Sequence, residues 1–344
     1  MRNRRIWGLF AFFLFIFIGM NTKVPYYIYQ PGSALPLAPI IQVEDGYAEE
    51  QGTFRLTTIR TGPTNVAGAL WASLDANAEL VKAEHVHSPH ESNEQYLQRQ
   101  LAVMKASQDT AKIVAFQKAG FDIKLKNSGA IIMQIIPGYP AEKVLQVGDV
   151  IFRVDDVQIE TAEDLMDALK GRQVNEETLI HFARDGKPQA AKLTLTSLPA
   201  LPGEESKPGI GIASPITKRV FELPKNVEIK SAEIGGPSAG LMFTLEMMNQ
   251  LLPGDLTKGY DIAGTGTINE DGSIGRIGGI EYKVVAAARE QTEIFFAPAE
   301  KDEKGVSNYD QAIKKAKSQN LKMKIIAVRE IDDVLDYLKK LPPR

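Results

Sequence analysis

The chain has 344 residues, more than a single core usually serves, so two or three modules are expected. Its 40 basic and 43 acidic residues leave a formal net charge of −3, which gives no electrostatic reason to expect nucleic acid as a partner. The absence of cysteine excludes disulfides, thiolate metal sites and a cysteine nucleophile.

At the N-terminus, Arg2, Arg4 and Arg5 precede an uninterrupted apolar run from Ile6 to Met20. This pattern predicts a transmembrane signal anchor over residues 1–24. The arginines place the N-terminus in the cytoplasm and the rest of a single-pass cell-membrane protein outside it. The run is short for a bilayer, so a cleaved signal peptide competes with the anchor. The lack of an A-x-A site, together with Lys23 and an interfacial belt of Tyr26, Tyr27 and Tyr29, favours retention.

Residues 25–117 read as a β-rich region followed by a helix. Short runs such as Phe54–Ile59 are punctuated by Pro31-Gly32, Asp45-Gly46 and Thr61-Gly62-Pro63. Ser92 and Gln95 form a capping-box pattern, and Leu97, Leu101 and Met104 follow at helical spacing, which carries a helix to about Lys118.

Over 118–198 the order is strand Phe121–Leu125, strand Ala130–Ile136, a Pro137-Gly138 turn and a short helix. The string L-x-x-G-D-x-I-x-x-V-D follows from Leu145 to Asp155, then a helix capped by Thr161 and a hairpin turning at Asp185-Gly186. This order and the string resemble bacterial-type PDZ domains. The resemblance implies that Lys118-Ala119-Gly120-Phe121 binds a peptide carboxylate through backbone N–H groups. Gly120, Phe121 and Ile123 would then line one wall of a peptide groove, and Leu165 and Leu169 the other. The usual Gly-Leu-Gly-Phe survives here only as Ala-Gly-Phe, and a fold that merely positions its neighbour is the competing reading. Residues 199–208, with three prolines and two acids, read as a linker.

From 209 to 344 strands alternate with helices, such as Phe295–Ala297 with Ala239–Leu252, which predicts an α/β or α+β domain. Gly235-Gly236-Pro237-Ser238-Ala239-Gly240 precedes an amphipathic run, so Ser238 stands where a glycine-rich loop enters a helix. Backbone N–H groups of Gly235, Gly236 and Ser238 there can face an oxyanion; Pro237 has none to offer. A serine needs a base, and the four histidines, His85, His87, His90 and His181, all lie outside this segment. Lys283, followed by Val-Val-Ala-Ala-Ala, sits where desolvation can leave an amine neutral.

Three ordered motifs, G-P-S-A-G at 236–240, A-G-T-G-T-I-N-E-D-G at 263–272 and G-G-I-E-Y-K-x-x-A-A at 278–287, resemble the proteolytic domain of Lon. The resemblance implies Ser238 as nucleophile, Lys283 as general base and Thr265 as a hydroxyl orienting the lysine. No G-x-x-x-x-G-K-[ST] phosphate loop occurs, so ATP dependence is not expected of this polypeptide.

The whole chain thus resembles the PDZ-containing, membrane-anchored Lon-like serine proteases of Gram-positive bacteria. The fold class expected is α+β multidomain: transmembrane helix, β-rich N-terminal region, PDZ domain and C-terminal α/β proteolytic domain. The expected work is limited endoproteolysis of extracytoplasmic peptides or membrane-tethered proteins, with the PDZ domain assisting and a homo-oligomer among the assemblies implied. No cofactor and no metal are expected; the histidines at 85, 87 and 90 read as a polar surface loop. Two other classes remain in play. One is a nucleotide-binding protein, because glycine loops at helix starts also cradle phosphate. The other is a non-catalytic PDZ scaffold with a degenerate protease domain.

Overall fold

A computed structural model of the protein describes Trp7, Phe17 and residues 19–49, 51–87, 91–198, 206–231 and 234–344. Along the chain run strands β1 (Lys23–Pro36), β2 (Thr53–Asn65) and β3 (Glu79–Lys82), and then the long helix α1 (Asn93–Lys118). Strands β4 (Lys124–Ile131) and β5 (Val150–Val154), helix α2 (Ala162–Leu169) and strands β6 (Glu177–Arg184), β7 (Lys187–Thr194) and β8 (Ile216–Glu222) follow. The last stretch holds α3 (Gly240–Leu251), β9 (Asp261–Gly264), α4 (Ile280–Arg289), β10 (Ile294–Pro298), α5 (Asn308–Ser318), β11 (Lys324–Val328) and α6 (Ile331–Lys339).

These elements form two compact units. One comprises Met1–Gln42, Gly46–Ser88 and Ser238–Arg344; the other comprises Val43–Asp45 and Pro89–Pro237. The first is built on a six-stranded sheet of order β11-β10-β9-β2-β1-β3. Its β9, β10 and β11 run parallel to one another and to β2, whereas β1 is antiparallel to both β2 and β3. In β10 the residues Ile294-Phe-Phe-Ala-Pro298 are all buried, as a parallel strand covered on both faces requires. Helices α4 and α5 cover one face through Ile280, Val284, Ala287, Ala312 and Ala316, which pack with Ala263, Phe295 and Ala297.

Strand β2 is the joint of this sheet. Phe54 and Leu56 alternate into the core at 0% and 1% exposure, and Arg55 between them forks onto Asp261 of β9, Nε to Oδ1 and Nη2 to Oδ2 both at 2.8 Å. Residues that the sequence reads as two modules, 25–117 and 209–344, therefore contribute strands to one sheet. The second unit, Val43–Asp45 with Pro89–Pro237, takes in the end of the first of those modules and the start of the second.

The second unit carries a sheet of order β7-β6-β5-β4-β8. Its core joins Ile132, Leu145, Ile151, Ile159, Leu165, Ile180 and Phe182. The β6–β7 hairpin turns at Asp185 (φ 50°) and Gly186 (φ 76°), the left-handed pair that a two-residue turn needs. Helix α1 starts on the capping box of Ser92 and Gln95 that its sequence predicts.

The expected N-terminal transmembrane helix requires correction: among the described residues no helix is long and apolar enough to cross a membrane. Fifteen residues at about 1.5 Å each reach roughly 22 Å, short of a hydrocarbon core of about 30 Å. Apart from Trp7, Phe17, Gly19 and Met20, the apolar run lies outside the described residues. The tyrosines read as an interfacial belt belong to β1 instead. Tyr27 is buried with its hydroxyl 2.6 Å from His87 Nε2, and the ring of Tyr29 meets Tyr282 edge-on at 6.3 Å. Of the linker, residues 199–205 are outside the described set, while Pro208–Gly209 pairs with Thr196–Ser197.

Since β1, β2 and β3 complete the sheet, a fragment of residues 209–344 alone is expected to show no cooperative thermal transition, and adding residues 23–88 as a separate chain should restore one. In the full chain, Phe54→Ala should cost about 3 to 5 kcal/mol in urea unfolding, the range for emptying a buried phenylalanine site.

Candidate active site

Ser238 lies just ahead of α3 and is clamped by its own carbonyl, which accepts from Thr265 Oγ1 and from the Gly266 N–H, both at 2.9 Å. Thr265, fully buried beyond the end of β9, is itself fixed by its N–H donating to the Phe296 carbonyl at 3.1 Å. The loop after β9 therefore holds the serine through its carbonyl.

Lys283 is in the first turns of α4, 3% exposed, beside buried Tyr282, Val284 and Val285. Its Nζ lies 2.7 Å from Ser238 Oγ and donates to the Thr57 carbonyl of β2 at 2.8 Å. Burial alone pulls the amine down from its ordinary value to about 7. A neutral amine has two hydrogens and one lone pair. With one hydrogen held by Thr57, the lone pair can face the serine hydroxyl and accept its proton. Thr57 is in turn tied across the sheet, its hydroxyl donating to the Gly264 carbonyl at 3.1 Å. Tyr282, next to the lysine, donates its hydroxyl to the Glu79 carboxylate of β3. Burial and that acceptor hold the phenol well above its ordinary range, and the hydrogen bond ties α4 to β3 beside Lys283.

The structure thus brings Ser238 and Lys283 into contact but gives Thr265 another task from the one expected: its hydroxyl engages the serine's carbonyl and not the lysine. Thr57 takes the orienting position. Nothing in the sequence marks it, since the group used is a backbone carbonyl on a strand 226 positions from the lysine.

The oxyanion loop is also redrawn. Gly236 (φ 87°) donates its N–H to the Gln100 carbonyl at 3.0 Å, and a Cβ on Gly235 would stand 2.8 Å from Gln100 Cβ. These glycines serve close packing against α1, and Gly236 has no N–H left for a substrate. The N–H groups of Ser238, Ala239 and Gly240 find no acceptor among the described residues.

The expected peptide groove changes as well. Ala119, Gly120 and Phe121 donate their N–H groups to the carbonyls of Ala115, Gln117 and Phe116, at 2.9, 3.0 and 3.0 Å. Gly120 at φ 87° and the Phe116–Phe121 ring contact at 5.4 Å complete a Schellman ending of α1. A peptide carboxylate finds no free cradle there. Leu165 and Leu169 turn into the core of the unit, and Ile123 is 9% exposed. Among the described residues no group of three or more His, Asp or Glu side chains could hold a metal ion, and His90 lies outside them.

Two family models match the chain: a PDZ domain over residues 118–195 and the Lon protease (S16) C-terminal proteolytic domain over residues 230–340. A Lon protease from Trichlorobacter lovleyi is 34% identical over 108 residues, 31% of this chain; the chain covers 12% of that relative's length. The PDZ domain of the SdrC-like protein from Listeria monocytogenes is similar at 26% identity, covering 25% of this chain and 85% of that one, with a TM-score of 0.23. A solution structure from Geobacillus thermodenitrificans is similar at 29% identity over 25% of this chain and 95% of that one, with a TM-score of 0.22. The chain therefore joins a PDZ domain to a Lon-type proteolytic domain, a pairing that supports a serine peptidase.

If burial sets the amine's proton affinity, the Lys283 side-chain resonance in a carbon-labelled protein is expected to titrate near pH 7. A midpoint above 10 would mean that the amine is solvated.

Proposed function

We propose that the protein is an ATP-independent serine endopeptidase in which Ser238 and Lys283 form the catalytic dyad. The observation that carries this reading is the 2.7 Å separation of Lys283 Nζ and Ser238 Oγ around an amine whose affinity for protons is lowered to about 7. The match of residues 230–340 to a proteolytic domain supports the same reaction.

In the reaction proposed, neutral Lys283 takes the hydroxyl proton as Ser238 Oγ attacks the scissile carbonyl. The oxyanion that forms is met by the N–H groups of Ser238 and of the start of α3, where the helix also presents its positive end. The lysine ammonium then gives its proton to the departing amine, leaving an acyl-serine. Water, deprotonated by the same amine, attacks the acyl carbon and releases the second product, and the proton returns to Ser238 Oγ as it leaves. Thr265 and Gly266 keep the serine fixed through these steps, so the geometry costs no rearrangement as charge develops. With no phosphate loop in the sequence to power unfolding, the substrates that suit this site are extended, accessible peptide segments.

Cleavage of a peptide library followed by mass spectrometry tests the dyad. Ser238→Ala and Lys283→Met should each lower kcat/KM by about 10³-fold or more, within the range for losing a nucleophile or a general base. Equal cleavage by the parent and by Ser238→Ala would sink the dyad.

Because only the unprotonated amine accepts the serine proton, log kcat/KM should rise with unit slope below pH ~7 and level off above it. Thr265→Val should lower kcat about tenfold or more by releasing the Ser238 carbonyl, and Thr265→Ser should retain most of the activity.

A further inference from the structure

Strand β8 occupies an unusual place. It follows the PDZ match, which ends at residue 195, yet it returns to pair antiparallel with β4, in register from Glu222 opposite Lys124 to Ile216 opposite Ile131. It forms the outer edge of that sheet and packs against α2 as well as β4. The N–H of Ala162, at the start of α2, donates to Thr217 Oγ1 at 3.0 Å. An extended segment added to a sheet edge beside a helix is how a PDZ domain takes a peptide.

We propose that β8 is a tethered ligand: residues 216–222 fill the peptide groove of this PDZ domain, and an extended internal segment of another polypeptide enters only by displacing them. Two further observations bear on this. The N–H groups of residues 119–121 are consumed by the end of α1, so the groove has no seat for a chain terminus and suits a strand that continues past it, as β8 does. Its pairing is also irregular between Thr217 and Arg219, and Val220 and Glu222 are exposed. A tether of this kind acts at an effective concentration on the order of millimolar, so a free peptide must overcome that to be seen.

The test uses the full chain carrying Ser238→Ala, so that no probe is cut and the outcome is independent of the dyad. One variant, Arg219→Pro with Val220→Pro, removes two successive N–H groups, one of which must face β4. The other, Val220→Cys with Lys126→Cys, places the chain's only cysteines at directly opposed positions, where a disulfide locks the strand. The probe is a fluorescent peptide of sequence 214–224, followed by anisotropy.

The proline variant should bind the probe at least tenfold more tightly than the parent. The oxidised lock should bind at least tenfold more weakly than the proline variant, and amidating the probe's C-terminus should change the affinity less than twofold. Binding by a folded proline variant no tighter than by the parent overturns the proposal, as does an oxidised lock that binds as tightly as the proline variant. If the proline variant does not fold, amide exchange of residues 216–222 in the lock decides. Excess probe should speed it in the reduced form and leave it unchanged in the oxidised form. Identical exchange in the two forms overturns the proposal.

Discussion

The arrangement turns on one amine kept out of water. Lys283 sits among aliphatic side chains of α4 and against the central strands of a sheet, with a backbone carbonyl of β2 as its fixed acceptor. Lowering a lysine from its ordinary value to about 7 corresponds to on the order of 5 kcal/mol against the charged form. A cost of that size survives only where the surrounding sheet is rigid and well packed, since a small opening would let water re-solvate the ammonium. Much of the first unit serves that condition: β10 is buried along its length, α4 and α5 seal one face, and Tyr282 ties the lysine's helix to β3.

That condition explains why the N-terminal strands belong to the same body as the serine. Without β2 the lysine would lose its acceptor and an entire flank of sheet, and Arg55 with Asp261 would lose the fork that registers β2 against β9. The contacts involved are non-local in the extreme, joining residues 57 and 283 across an intervening unit. Such a topology requires the chain to close a long loop before any of this packing is realised. The Thr265 hydroxyl and the Gly266 N–H complement this by fixing the serine's carbonyl, so both partners of the 2.7 Å contact are tied down.

Helix α1 shows how identical letters serve different chemistry. Ala-Gly-Phe reads as the remnant of a carboxylate-binding loop. In the fold the glycine takes the left-handed position after a helix, the phenylalanine packs back on Phe116, and the N–H groups close the helix's own carbonyls. The pair Gly235-Gly236 repeats the lesson. Their absent side chains and the N–H of Gly236 serve contact with Gln100, while the N–H groups from Ser238 to Gly240 have no acceptor among the described residues.

Local features are written in the letters. The capping boxes at Ser92 and Thr161, the Asp185-Gly186 hairpin, the alternation in β2 and the motif order around Ser238 and Lys283 are all readable from neighbours a few positions apart, because their hydrogen bonds and side-chain periods span only those positions. The apolar residues that follow Lys283 also mark a place where desolvation lowers an amine's affinity for protons. The tertiary structure alone decided which carbonyl the lysine meets and which group Thr265 engages. It also decided that residues 23–82 complete the sheet of β9, β10 and β11 and that residues 216–222 lie along β4. Each of these pairs backbone groups far apart in the chain, and every residue except proline offers the same N–H and C=O, so the choice of partner carries no letter in the sequence.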